Sequence, residues 1–125
     1  MMECIFCNTE ELEIILESQF SFAIFDKYPV NKGHLLIIPK RHFSSFFELS
    51  KEEMNDIYDL INQGKEKLDK LYSPDGYNIG VNVGETAGQT IMHLHIHIIP
   101  RYKGDIENPR GGIRKLMPNL VPYDG

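Results

Sequence analysis

The apolar positions along the chain change period twice, from two to about 3.6 and back, which divides it into strands, one helix, and strands again. Leu12 to Leu16 and Phe20 to Asp26 are apolar at strand density. The polar Ser18-Gln19 between them predicts a hairpin, although Glu11 to Glu17 also fits a short helix. Pro29 to Gly33 breaks the pattern, and His34-Leu35-Leu36-Ile37-Ile38 then reads as a buried strand closed by Pro39. Ser50-Lys51-Glu52-Glu53 is a capping-box signature, in which the serine and the glutamate satisfy each other's backbone amides at a helix start. Met54, Ile57, Tyr58, Ile61, Lys65, Leu68 and Leu71 follow at helical spacing and predict one long helix from Lys51 to Tyr72. Gly64 within it is either a weak point or a close packing contact. Ser73-Pro74-Asp75-Gly76 is a turn, Tyr77 to Val83 alternates as a strand, and Gly84 to Gly88 forms a loop leading into a last apolar run. Strands on short turns around one long helix imply an α+β fold with an antiparallel sheet.

The last run changes the picture, because it reads His93-Leu94-His95-Ile96-His97-Ile98-Ile99. An extended chain puts all three imidazoles on one face. Histidine titrates near neutrality and binds metals, so the row points to a phosphate, metal or proton-transfer site. The bland alternative is a half-buried strand whose outward residues happen to be histidine. A chain of 125 residues suits one domain over 1–125, and 42% apolar with 25% charged residues is ordinary for a folded protein. The net charge of -5 argues against tracking along nucleic acid, where phosphate neutralisation dominates, but leaves room for a small phosphate ligand. No apolar run reaches the length of a membrane span, and a cytoplasmic protein away from membranes is expected.

Both cysteines fall in one Cys4-x-x-Cys7 pair. In a chain of this kind the spacing favours a metal site or redox chemistry over a structural disulfide. No strand-helix-strand unit opening on the pair supports a thioredoxin-like role. With His42 and His93 it makes two thiolates and two imidazoles, the tetrahedral set that structural zinc prefers. Two reduced, buried thiols are the alternative.

The stretch Asn82-Val83-Gly84-Glu85-Thr86-Ala87-Gly88-Gln89-Thr90-Ile91-Met92-His93-Leu94-His95-Ile96-His97-Ile98-Ile99-Pro100-Arg101 resembles the signature of the histidine triad (HIT) superfamily. Cys4-Ile5-Phe6-Cys7, Asp26, Pro29, Gly33-His34 and Ile38-Pro39-Lys40-Arg41-His42 resemble its other landmarks in bacterial and archaeal members. The resemblance implies a HIT-like α+β fold, an antiparallel half-barrel with one long helix, and a homodimer that extends the sheet. It also implies binding of a purine nucleotide or dinucleoside polyphosphate, and a hydrolase that cleaves at the α-phosphate and releases a nucleoside monophosphate such as AMP.

By the same resemblance His95 is the nucleophile. A neutral imidazole nitrogen attacks phosphorus to give a nucleotidyl-histidine that water then hydrolyses, so one hard displacement becomes two easier ones. His97 and His34 would complete the catalytic set as donors to the phosphate oxygens, although His34 alone also fits a strand end. Asp26 matches the ribose-binding acid, while the residues alone also allow an ordinary turn aspartate there. Asn82, Gly88, Gln89 and Thr90 match the phosphate-contacting loop, where glycine lets the backbone come close. In zinc-bearing members the first triad histidine completes a site, here Cys4, Cys7, His42 and His93, as a structural ion with no catalytic metal required. A base would sit among Ile5, Phe6, Ile24 and Phe25. Asn82 resembles the phosphoramidase branch, whereas Gln89-Thr90 and Pro100-Arg101-Tyr102 resemble the dinucleoside polyphosphate hydrolases. The alternatives are a non-catalytic nucleotide sensor or interaction protein, and a nucleotidyltransferase.

Overall fold

Lys51–Tyr72 form α1, with the bounds that the spacing predicts, in a computed structural model that describes residues 4–117. The single domain expected over 1–125 therefore reaches beyond the described residues at both ends. The capping box is formed: the Glu53 amide donates to Ser50 Oγ and the Ser50 amide to Glu53 Oε1, both at 3.0 Å. Arg41 grips the same carboxylate with both arms of its guanidinium, at 3.0 and 2.8 Å. The Arg41 fork holds the Glu53 carboxyl at about 2, below its ordinary 4.5. A group depressed on folding stabilises above its unfolded value and loses that contribution as pH falls toward its folded one. Stability should therefore drop between pH 4.5 and pH 2, and urea titrations across that window should show a smaller drop in Glu53→Gln.

The helix buries Ile57, Leu60, Gly64 and Leu68, with Ile61 partly buried beside them. Met54, Tyr58 and Leu71, which the spacing placed in the stripe, are exposed. The stripe is centred on the 57-60-64-68 row rather than on the 54-58-65 row beside it, and Leu60 replaces them at its centre. Gly64 is a close packing contact, since a Cβ there would lie 2.8 Å from Leu35 Cδ2.

Five strands make an open antiparallel sheet: β1 (Leu16–Glu17), β2 (Ser21–Phe25), β3 (Leu35–Pro39), β4 (Gly76–Gly80) and β5 (Ile96–Arg101). Their order across the sheet is β1-β2-β3-β5-β4, so the histidine strand lies inside and β4 at one edge. The first strand is shorter than expected, and neither alternative holds for Leu12 to Ile15. Leu12 and Ile14 pack with the cluster on one side of the sheet while Ile15 and Leu16 pack toward the helix, so no single face organises the segment. The strand expected to run to Val83 leaves the sheet after Gly80, whose partner is His97. At the other end β5 runs through Pro100, because β3 has ended there and no ladder partner needs its missing amide.

Side-chain alternation along these strands decides where chemistry can sit. Ala23, Leu35, Ile37, Ile96 and Ile98 face α1 in one core cluster. Phe22, Ile24, Leu36 and Ile38 face the other way, where Phe6 covers them. Leu36 pairs with His97, so the histidine shares that second face, away from the helix. The hairpin turn is tied to the helix by Asp56 Oδ2, which accepts from Ser18 Oγ at 2.6 Å and Ser21 Oγ at 2.7 Å. Ser21 is fully buried. Asp56→Ala should cost about 2 kcal/mol in denaturant unfolding, because a buried and a half-buried hydroxyl lose a charged acceptor. No helix among the described residues is long and apolar enough to cross a membrane.

Candidate functional site

The three histidines serve two sites rather than one. His93 is fully buried and its Nδ1 lies 3.4 Å from Cys4 Sγ, 3.5 Å from Cys7 Sγ and 3.0 Å from His42 Nδ1. Cys7 Sγ is also 3.2 Å from His42 Nδ1. On its other side His93 Nε2 donates to the Pro39 carbonyl at 2.8 Å, which keeps the proton there and leaves the Nδ1 lone pair facing the cysteines. Cys4, Cys7, His42 and His93, the four residues expected together, thus bring ligand atoms within 4.8 Å of one another and could hold a metal ion.

His95 and His97 point into a different space, with ring centres 5.2 Å apart. The Phe6 ring stands edge-on to both His93 and His95, at 6.0 and 5.2 Å. His95 Nδ1 donates to the His93 carbonyl at 2.8 Å, so its Nε2 carries a lone pair, and that atom has no partner among the described residues. Both rings open onto a cleft of about 850 Å³. One wall is apolar and holds the expected Ile5, Phe6, Ile24 and Phe25; Asp26, Asn82, Gly88 and Thr90 lie in the lining too, which also includes Asn8, Glu11, Glu13 and Lys27. Gly88 has φ +97°, a conformation that favours glycine, and a Cβ there would lie 4.0 Å from Asn82 Nδ2.

Two expected phosphate-facing residues are elsewhere. His34 is 2% exposed and lies behind His97, with Nε2 2.9 Å from His97 Nδ1 and 3.4 Å from Asp26 Oδ2. It can reach a ligand only through His97. Gln89 is buried and turned inward, donating to the Ser44 and Ile91 carbonyls and accepting from the Gly84 amide. Its side chain braces the loop that Gly88 and Thr90 expose. Asp26 Oδ1 accepts from the Tyr28 amide, as the turn reading expects, and its Oδ2 faces His34.

What the sequence reading missed are backbone partners. The Val30 amide donates to His34 Nδ1 at 3.0 Å. A neutral His34 therefore carries its proton on Nε2, between the acceptors His97 Nδ1 and Asp26 Oδ2. Asp26, His34 and His97 also have ligand-type atoms within 4.8 Å of each other. A metal would need the lone pair that this proton occupies, so the group is a hydrogen-bond chain. Burial pushes His34 and His93 below the ordinary histidine range and His97 down to about 4, the last helped by His95 and His34. Neutral rings at pH 7 keep these tautomers in place. No side-chain signal marks a backbone amide, so only coordinates could have revealed it.

The HIT domain family model matches residues 9–104. Over 108 residues the chain is 43% identical to an uncharacterised HIT-like protein of Methanocaldococcus jannaschii, covering 83% of each. An adenosine 5'-monophosphoramidase of Schizosaccharomyces pombe is 39% identical over 104 residues, 80% of this chain and 75% of that protein. A bis(5'-adenosyl)-triphosphatase of Dictyostelium discoideum is 38% identical over 96 residues, 77% of this chain and 64% of that protein. The crystal structure of a HIT family protein from Bacillus anthracis superposes with a TM-score of 0.75 at 36% identity, covering 80% of this chain and 74% of that one. With its triad strand, its fold and most of its length matched in this way, the chain belongs to the histidine triad (HIT) family.

Proposed function

We propose that this protein is a hydrolase that cleaves nucleotides at the α-phosphate through a nucleotidyl-His95 intermediate. The observation that carries the reading is the unengaged Nε2 of His95 in the cleft, with Nδ1–H held by the His93 carbonyl. Its lone pair attacks the α-phosphorus, the bond to the leaving group breaks, and water then cleaves the P–N bond to release the monophosphate and restore the imidazole. His97, accepting at Nδ1 from His34, presents Nε2–H to a phosphate oxygen as charge builds there. The apolar wall takes a purine base, Asp26 accepts from the ribose hydroxyls, and Asn82 with Gly88 and Thr90 contacts the phosphate. The two relatives named for cleaving adenosine compounds support an adenylyl substrate. Incubation with adenosine 5'-phosphoramidate and with a diadenosine polyphosphate should release AMP from at least one. Binding of AMP without release from either would overturn the hydrolase in favour of a nucleotide sensor.

The Cys4, Cys7, His42 and His93 set fits zinc. Bonds of about 2.3 Å to sulfur and 2.05 Å to nitrogen make tetrahedral edges of about 3.3 to 3.8 Å, close to the 3.0 to 3.5 Å that separate four of the six ligand pairs here, with all six within 4.8 Å. Such an ion would be structural and would fix the N-terminal segment against the triad strand. A homodimer is supported by the β4 edge, where Ile79 is exposed, and by the exposed Met54 and Tyr58 on α1. Light scattering should return twice the mass of the chain, and a monomer at micromolar concentration would remove this assignment.

A further inference from the structure

The loop between β2 and β3 carries the amide that sets the proton on His34, yet almost nothing in the loop is anchored by burial. Tyr28 is 83% and Val30 72% exposed. The sheet fixes where the His34 and His97 backbones stand, since Leu35 pairs with Ile98 and Leu36 with His97. It does not fix where the Val30 amide points. Besides the Asp26 amide on the His34 carbonyl and the Lys32 ammonium over the Tyr72 ring, the loop is held by contacts to the far end of β5, the strand that also carries His97. Asn31 Nδ2 donates to the Pro100 carbonyl at 3.1 Å and to Asp105 Oδ2 at 2.8 Å. Asp105 is itself clamped by both arms of Arg101, each at 2.8 Å, and by the Tyr102 amide. Arg101 reaches on to Asn78 of β4 at 2.7 Å. Tyr102 adds a second clip by donating its hydroxyl to the Lys32 carbonyl at 2.7 Å, and the His34 amide closes the turn on the Asn31 carbonyl.

We infer that Asn31 is a positioning residue, which by docking this loop on Asp105 and Pro100 holds the Val30 amide against His34 Nδ1 and so fixes the tautomers of both His34 and His97. Asp26 Oδ2, 3.4 Å from His34 Nε2, is a second acceptor for the same proton. With the Val30 N–H in place, Nδ1 of His34 accepts, so Nε2–H donates to His97 Nδ1, and His97 must carry its own proton on Nε2. If the loop moves away, His34 can hold its proton on Nδ1 and turn Nε2 into an acceptor. His97 Nδ1 would then donate, and its Nε2 would offer the phosphate a lone pair in place of an N–H. The inference rests on the proposed hydrolase only for its kinetic consequence, because the tautomers are properties of the resting protein.

Long-range 15N–1H spectra of the histidine rings at neutral pH test it directly. In the wild type both His34 and His97 should show protonated Nε2 and unprotonated Nδ1. A protonated Nδ1 on His34 would overturn the inference whether or not the protein hydrolyses anything. In Asn31→Ala the two rings should become mixtures of tautomers, and kcat for the better substrate should fall about tenfold with KM within twofold of the parent. Single Nε2–H tautomers persisting in a folded Asn31→Ala would refute the role. Should that variant fail to fold, Tyr102→Phe frees Lys32 in the same loop and is expected to mix the tautomers too, with unchanged spectra counting against the inference.

Discussion

His95→Asn should lower turnover by about a thousandfold or more while the protein folds and binds nucleotide as before. Asparagine suits this test because its amide N–H can take over the donation from Nδ1 to the His93 carbonyl, at 2.8 Å in the parent, so the local backbone keeps its partner. The nitrogen that would attack phosphorus is lost, together with the ring contacts to Phe6 and His97. Removing a covalent nucleophile typically costs several orders of magnitude in kcat, far more than loss of a single hydrogen-bond donor. The expected pattern is therefore a collapsed kcat with AMP affinity within a few-fold, read by AMP release and by calorimetric titration. Turnover surviving in the variant would mean that water attacks phosphorus directly and that His95 only orients the ligand.

Chelation of a zinc ion held by Cys4, Cys7, His42 and His93 would be the largest blow to stability. Residues 4 to 8 form a single tight turn, with the Cys7 and Asn8 amides both on the Cys4 carbonyl, and among the described residues no strand pairs with them. Their attachment is Phe6, which is 4% exposed, and the Cys4, Cys7, His42 and His93 cluster. With a zinc ion bound there, chelation removes about 2 to 4 kcal/mol, and the melting temperature should fall by about 10 °C. Phe6 links this loss to the cleft, because the same ring packs on His93 and His95. A strong chelator added to a thermal melt, alongside elemental analysis of the untreated protein, reads the effect. Protein that carries no metal as purified and melts identically with chelator would show that hydrogen bonds alone hold the segment.

How far the chain could be read without coordinates follows from which signals are local. Lys51–Tyr72 was legible to the residue because the Ser50 and Glu53 cap and the leucine spacing act within one element. Leu12 to Ile15 was not, since its apolar residues divide between the two faces of the sheet and the chain enters the ladder only at Leu16. The four metal-type ligands were legible from residue type and spacing, and they do converge. Alternation alone suggested one row of histidines, whereas His93 turns to the cysteines where the chain precedes β5 and packs its Leu94 amide on the Phe43 carbonyl. His34 and Gln89 show the complementary limit. Their side chains are engaged by neighbours distant in sequence, and only the fold reveals that one acts through His97 and the other braces a loop.

A nucleotidyl group that passes through His95 can be trapped there. Wild-type protein is mixed with the better of the two adenosine substrates, quenched within the first turnover at alkaline pH to preserve the P–N bond, digested, and examined by mass spectrometry. An adenylyl group on the peptide containing His95, formed and lost at rates compatible with kcat and absent from His95→Asn, is the expected result. AMP released at full rate with no adduct at any time, or an adduct on another residue, would contradict it.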